Sequence, residues 1–308
     1  MRLRLALEEG LEISGPVLVR HPALDTDLSA LTDFDVETPD ILVAQRYPDA
    51  AEREYDATFI IAPRSKALLR DLIATAPTRR IIVDGQKTDG IDSLWRDCRK
   101  RADVQGAVTK AHGRLFWMDA APGSFEDWHY TPPDVHGFAL APGIFSADGI
   151  DPGSYALAEV LPAAIAGRVI DLGAGWGYLS AVAEARGATD IDMVEANAMA
   201  LACAAANTRH ARAHWADATR WRPDEPVQHV IMNPPFHASN RKGVPELGQA
   251  FIANAARCLA PSGTLWMVAN RHLPYEDTLS RHFGRVSELQ GPPGTAGFKL
   301  FQATRPKR

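Results

Sequence analysis

The sequence predicts an α/β fold arranged in two consecutive parts. Three observations carry that expectation. Short apolar runs of strand length alternate with stretches of helical spacing, the pattern of parallel strands joined by crossover helices. A stretch rich in Pro, Gly and polar residues, 120–137, interrupts the alternation. The chain has 308 residues, and single cores rarely keep growing beyond about 250–300.

The first part is expected over residues 1–135. Ile41-Leu42-Val43-Ala44, Thr58-Phe59-Ile60-Ile61 and Arg80-Ile81-Ile82-Val83 read as buried parallel strands, because their apolar residues run together rather than alternate. Lys66 to Ile73 and Ser93 to Cys98 have helical spacing, and Gly113 to Met118 reads as a further strand. No glycine-rich turn follows any of these strands. The glycines in Asp84 to Gly90 are spaced for turns, and no catalytic constellation stands out in this part. Trp128, His129 and Tyr130 give the following boundary segment enough aromatic surface to pack on a domain.

The second part is expected over residues 136–308. Pro142-Gly143-Ile144-Phe145-Ser146 and Asp151-Pro152-Gly153-Ser154 suit an irregular, lid-like lead into a helix from Tyr155 to Ala164, with Asp151 or Ser154 as its cap. Strands follow at Arg168–Ile170, Ile191–Val194, Ala213–Trp215, Gln228–Met232 and Gly263–Val268. Helices are expected at Tyr178–Arg186, Ala198–Thr208, Glu246–Leu259 and through Leu279 to His282. Val286–Leu289 and Phe298–Phe301 flank Gly291-Pro292-Pro293-Gly294, a hairpin pattern.

Composition narrows the classes. Hydrophobic residues make up 46% and charged residues 23%, ordinary for a globular protein with a core. No apolar run approaches the roughly 20 residues of a membrane span. The start, Met1-Arg2-Leu3-Arg4-Leu5, meets Glu8-Glu9 too early for a secretory signal. Cys98, Cys203 and Cys258 are scattered, with no metal or disulfide spacing, so the expectation is a cytoplasmic protein without metal. The net charge of -5 argues against indiscriminate coating of nucleic acid. Local basic runs remain at Arg64, Lys66 and Arg70, at Arg79-Arg80, and at Arg96, Arg99, Lys100 and Arg101, each readable also as a solvated face.

Asp171-Leu172-Gly173-Ala174-Gly175-Trp176-Gly177 follows a strand and opens a helix, so its glycines let the backbone approach a ligand. A dinucleotide fingerprint wants its third glycine where Tyr178 stands; the loop fits a nucleoside without a diphosphate better. Glu195 ends the second strand, where an acid can meet ribose hydroxyls or simply face solvent. Asp217, after the third, can accept from an adenine amine or make an Asx turn. Phe145 can cover a ligand or anchor its loop. After the fourth strand comes Asn233-Pro234-Pro235-Phe236-His237. It is a stiff segment that presents an amide, a carbonyl free of ladder duty and an aromatic ring.

These features, at four successive strand ends, resemble the class I S-adenosylmethionine-dependent methyltransferases that act on amino nitrogens. The Pro142 to Ser146 and Asp151 to Ser154 segments, the extension to His237 and the late Gly297-Phe298-Lys299 narrow the likeness. With them the chain resembles the ribosomal RNA small subunit methyltransferase C family and related large-subunit guanine-N2 methyltransferases. The loop Ala238-Ser239-Asn240-Arg241-Lys242 departs from relatives that commonly carry Asp-Gly there. The resemblance implies two tandem Rossmann-like methyltransferase-type domains, the N-terminal one degenerate and the C-terminal one a seven-stranded class I sheet.

The same resemblance implies S-adenosyl-L-methionine as cofactor, held by Asp171, Gly173, Gly175, Glu195, Ala196, Asp217, Ala218, Asn233 and Phe145. It implies catalysis by Asn233, Pro234, Pro235 and Phe236, and substrate binding by Phe236, His237, Arg241 and Lys242. The implied activity is methyl transfer to N2 of a guanine in ribosomal RNA, with 16S rRNA favoured. The partner would be a small-subunit particle, the chain a monomer, and the first domain would position the RNA. Three alternatives stay open: a protein glutamine amide as acceptor, N6 of adenine as acceptor, and a non-catalytic RNA-binding assembly factor.

Overall fold

A computed structural model of the protein describes residues 1–47, 50, 52–235 and 245–307, and its chain divides into two compact units, Met1–Pro132 and Pro133–Arg308.

The first unit runs α1 (Arg2–Glu8), β1 (Val17–Arg20), β2 (Phe34–Glu37), α2 (Ile41–Ala44), β3 (Ala57–Ile61), α3 (Lys66–Ala74), β4 (Arg80–Gln86), α4 (Ile91–Cys98), β5 (Asp103–Lys110) and β6 (Gly113–Asp119). Its sheet has six strands in the order β2-β1-β3-β4-β6-β5, with β5 and β6 antiparallel to their neighbours. The expected strand Ile41–Ala44 is a helical turn instead. Asp40 caps it by accepting from Leu42 N and Val43 N, and so ends the extended backbone before the apolar run begins. The strand places belong to Val17–Arg20 and Phe34–Glu37. Trp128 is buried within this unit, with the guanidinium of Arg70 4.9 Å and that of Arg101 5.2 Å from its ring, and Tyr130 N donates to Asp71.

The second unit runs α5 (Pro152–Val160), β7 (Val169–Leu172), α6 (Tyr178–Ala185), β8 (Ile191–Glu195), α7 (Ala198–Asn207), β9 (Ala211–Trp215), β10 (Val227–Met232), α8 (Pro245–Cys258), β11 (Leu259–Asn270), α9 (Glu276–His282), β12 (Phe283–Leu289) and β13 (Phe298–Pro306). Seven strands lie in the order β12-β13-β11-β10-β7-β8-β9. The terminal hairpin inserts β13 between β11 and β12, antiparallel to both. All four residues of β7 are buried, as expected of a central strand covered on both faces. The helix expected from Tyr155 to Ala164 starts and ends earlier. Asp151 is the cap, Pro152 opens the first turn and Ser154 lies inside it.

Asp192 ties three strands together. Its carboxylate is fully buried between Arg168 Nε at 3.0 Å, Arg212 Nε at 2.8 Å and His214 Nε2 at 2.8 Å. Burial alone would raise its pKa; the bonds from Arg212, His214 and Arg168 outweigh it and hold the group below the usual carboxylate range.

The two units share a local plan at the end of their first strand. His21 N donates to Glu37 O at 2.9 Å, as Gly173 N donates to Val194 O at 2.8 Å. Asp40 N, at a helix cap, bonds the side chain of Thr38, as Asn197 N bonds that of Glu195. Thr38 therefore stands where the second unit has its acid. His21-Pro22-Ala23 stands where it has Gly173-Ala174-Gly175.

Candidate active site

The carboxyl ends of β7 and β10 and the start of α5 converge on one cleft. Phe145, Asp151, Ser154, Gly173, Gly175 and Asn233 line it, together with Ser146, Ala174, Trp176, Tyr178 and Leu179.

Gly173 and Gly175 both have left-handed backbone, with φ of +75° and +55°. A Cβ on Gly173 would meet the Phe251 ring at 3.1 Å, whereas one on Gly175 would enter open space. The loop is fixed from the next strand. Glu195 accepts from Gly175 N through Oε2 and from Asn197 N through Oε1, each at 2.9 Å. The expected acid is thus present and aimed at the loop.

Asp171 lies under the loop rather than among the cleft's lining residues. It is 1% exposed, and Ser180 Oγ donates to its Oδ2 at 2.7 Å while Oδ1 finds no donor among the described residues. Burial, with the nearby charge of Glu195, raises its pKa to about 7 against the bond from Ser180.

Asn233 is oriented from α5. Its Nδ2 donates to Asp151 Oδ2 and to Ser154 Oγ, both at 2.9 Å, so both amide protons are engaged. Its Oδ1 has no donor among the described residues. Pro234 is buried and Pro235 exposed. Phe236, His237, Arg241 and Lys242 lie outside the described residues.

Asp217 makes the Asx turn, its Oδ1 accepting from Thr219 N at 2.8 Å and Thr219 Oγ1 at 2.6 Å. Ala196 O accepts from Trp215 Nε1, and Ala218 O from Asn254 Nδ2. These residues sit at the ends of β8 and β9, apart from the cleft's lining.

The lead-in segment is stitched down beside the loop. Asn207 accepts from Ala139 N and donates to Ala139 O and to Trp176 O. The rings of Phe138, Trp176 and Tyr178 pack on one another. Ile144 is the buried anchor, while Phe145 is 54% exposed beside the cleft. Ile144 rather than Phe145 therefore anchors the loop.

Sequence reasoning did not foresee Asp151 and Ser154 as partners of Asn233. Their capping pattern was visible, but their partner is about eighty residues away in the chain.

Residues 136–302 match the family model described as methyltransferase small domain. A Shewanella oneidensis protein named ribosomal RNA small subunit methyltransferase C is 30% identical over 81% of this chain and 77% of its own length. A Hahella chejuensis protein of the same name is 29% identical over 83% and 79%. Among solved structures, a T. Thermophilus 16S rRNA N2 G1207 methyltransferase in complex with AdoMet and Guanosine is similar in fold, with a TM-score of 0.75 and 22% identity over 98% of this chain and 91% of that one.

Proposed function

We infer the function from one premise: the chain belongs to the methyltransferase small domain family and, within it, to the ribosomal RNA small subunit methyltransferase C proteins. It is an S-adenosylmethionine-dependent methyltransferase that acts on the exocyclic N2 amine of a guanine in 16S rRNA.

One observation carries the site-level reading. Beside a glycine loop open enough for a ligand, Asn233 has both amide protons engaged and its oxygen without a donor among the described residues. The residues fit the cofactor: Gly175 leaves room along the loop, and the fixed carboxylate of Glu195 suits a ribose diol. S-adenosylmethionine, when bound, supplies an electrophilic methyl group on a sulfonium.

The protein's own part is acceptance and alignment. The guanine amine has its lone pair delocalised into the ring. Asn233 Oδ1 and the Pro234 carbonyl each accept one of its N–H bonds, turning the lone pair toward the methyl group. A strong base is not required beforehand, because the proton leaves after the nitrogen has become cationic. Phe236 stacks on the base, worth about 1–3 kcal/mol. His237, Arg241 and Lys242 have the role of binding the RNA backbone. A paired guanine must first be flipped out, at a cost of a few kcal/mol. The first unit, with Thr38 in place of the acid, positions RNA rather than cofactor. The enzyme works as a cytoplasmic monomer on small-subunit particles.

The test uses small subunits from cells lacking the modification, labelled S-adenosylmethionine and nucleoside mass spectrometry. Label in N2-methylguanosine of 16S rRNA is the expected result. Label in adenosine or in protein glutamine, or no transfer at all, refutes the reading.

A further inference from the structure

We propose that Asp151 and Ser154 are positioning residues that set which end of the Asn233 amide meets the substrate. The proposal rests on the function assigned above.

An asparagine amide is nearly symmetric in shape and opposite in chemistry at its two ends: one accepts, the other donates twice. Only the accepting end can hold a substrate N–H. Presented the other way, the amide would set its own protons against those of the amine. A side chain on a stiff Asn-Pro-Pro segment therefore needs its orientation fixed by something else.

The first turn of α5 supplies it. Asp151 Oδ2 and Ser154 Oγ both lie 2.9 Å from Asn233 Nδ2, which uses both protons of that nitrogen. Asp151 rejects the flipped amide, because a carboxylate can only accept, and Ser154 takes up the second proton of the orientation that Asp151 selects. The negative charge also polarises the amide and makes Oδ1 a better acceptor.

A helix cap alone does not require this arrangement. Capping accounts for Asp151 Oδ2 accepting from Ser154 N at 2.8 Å. It says nothing about the Ser154 hydroxyl, which plays no part in the cap and still meets the same nitrogen. The remaining members of the segment seat the turn. Pro152 pre-sets its first residue, and at Gly153 a Cβ would come within 2.9 Å of the Phe298 ring. The Asp151 to Ser154 segment and Phe298 of the Gly297-Phe298-Lys299 motif thereby acquire a shared purpose, the presentation of Asn233.

The experiment compares wild type with Ser154→Ala, Asp151→Ser and Asp151→Asn on small subunits, recording kcat, KM for S-adenosylmethionine and the melting temperature. Ser154→Ala leaves the cap intact and removes one acceptor. Asp151→Ser keeps a capping hydroxyl that is too short to reach Asn233. Each is expected to lower kcat roughly ten- to a hundredfold, the size of losing a charge-assisted or orienting bond. KM and melting temperature should stay close to wild type. Asp151→Asn retains an accepting oxygen and should recover most of the rate. Wild-type kcat in Ser154→Ala and Asp151→Ser overturns the proposal, as does a loss that tracks melting temperature or is not recovered by Asp151→Asn. A wild-type protein that transfers no methyl to guanine would instead overturn the functional assignment, so the two failures are distinguishable.

Discussion

Replacing Asn233 by Asp tests the site with almost no change of shape. The amide's two donated bonds become contacts between acceptors, one with Asp151 Oδ2 and one with Ser154 Oγ, at what are now 2.9 Å separations. Ser154 can turn its hydroxyl to donate. Asp151 cannot, so two carboxylates would face each other. At 2.9 Å and an effective dielectric of about 20 their repulsion is about 6 kcal/mol, an upper bound that the open cleft reduces. Taking about half of it, at about 1.4 kcal/mol per pH unit, the introduced carboxyl keeps its proton to roughly pH 6. The protonated form restores one of the two bonds: its O–H donates to Asp151 and its C=O is left to accept.

The expected result is methyl transfer reduced about a hundredfold at pH 8, the loss of one preorganised electrostatic group, and partly recovered at pH 6. Stability should follow in the same direction. A carboxyl whose folded-state pKa is raised contributes stability that is present below its unfolded value and lost as pH rises through the folded one. The melting temperature of Asn233→Asp should therefore fall, relative to wild type, between pH 5 and pH 8. Single-turnover rates and thermal melts across that range make the measurement. A flat difference from wild type, or full activity at pH 8, would refute the reasoning.

Four further outcomes are expected. Asp171 is buried with a pKa raised to about 7, so wild-type stability should decline from pH 5 to pH 8, and Asp171→Asn should remove that share of the decline in thermal melts. Gly173→Ala should lower the melting temperature, since left-handed backbone costs a side chain about 1–2 kcal/mol and Phe251 must also move. Gly175→Ala should carry the same backbone cost without the clash and in addition weaken S-adenosylmethionine binding, because its methyl enters open space in the cleft. Calorimetric titration should find one S-adenosylmethionine site per chain; two would contradict the reading of the His21-Pro22-Ala23 turn and Thr38 as a lost cradle.

The second unit was largely legible because its strands are continuous apolar runs and its turns carry glycine. Boundaries slipped where capping decided them, as at Pro152, three residues before the expected start. The first unit was harder. Val17–Arg20 and Phe34–Glu37 are strands of four residues each, too short to show a period, and Ile41–Ala44 has the composition of a strand. The Asp40 side chain caps it as a helical turn. Within the site, Glu195 and Asn233 were readable from their places after strands. The clamp on Asn233 was not, because spacing along the chain says nothing about a hydrogen bond that folding creates between distant segments.

The shared plan at the two first-strand ends separates two requirements that a glycine-rich motif normally confounds. His21 holds a left-handed φ of +61° at the place of Gly173, so the crossing from strand to loop imposes that backbone even where the glycine loop is missing. The first glycine thus answers to the handedness of the connection. The second, Gly175, has no steric neighbour among the described residues, and Ala23 takes its place in the first unit. Within this chain, a left-handed residue at the strand exit is common to both units, whereas the second glycine and the acid that accepts from its N–H belong to the second unit's loop alone.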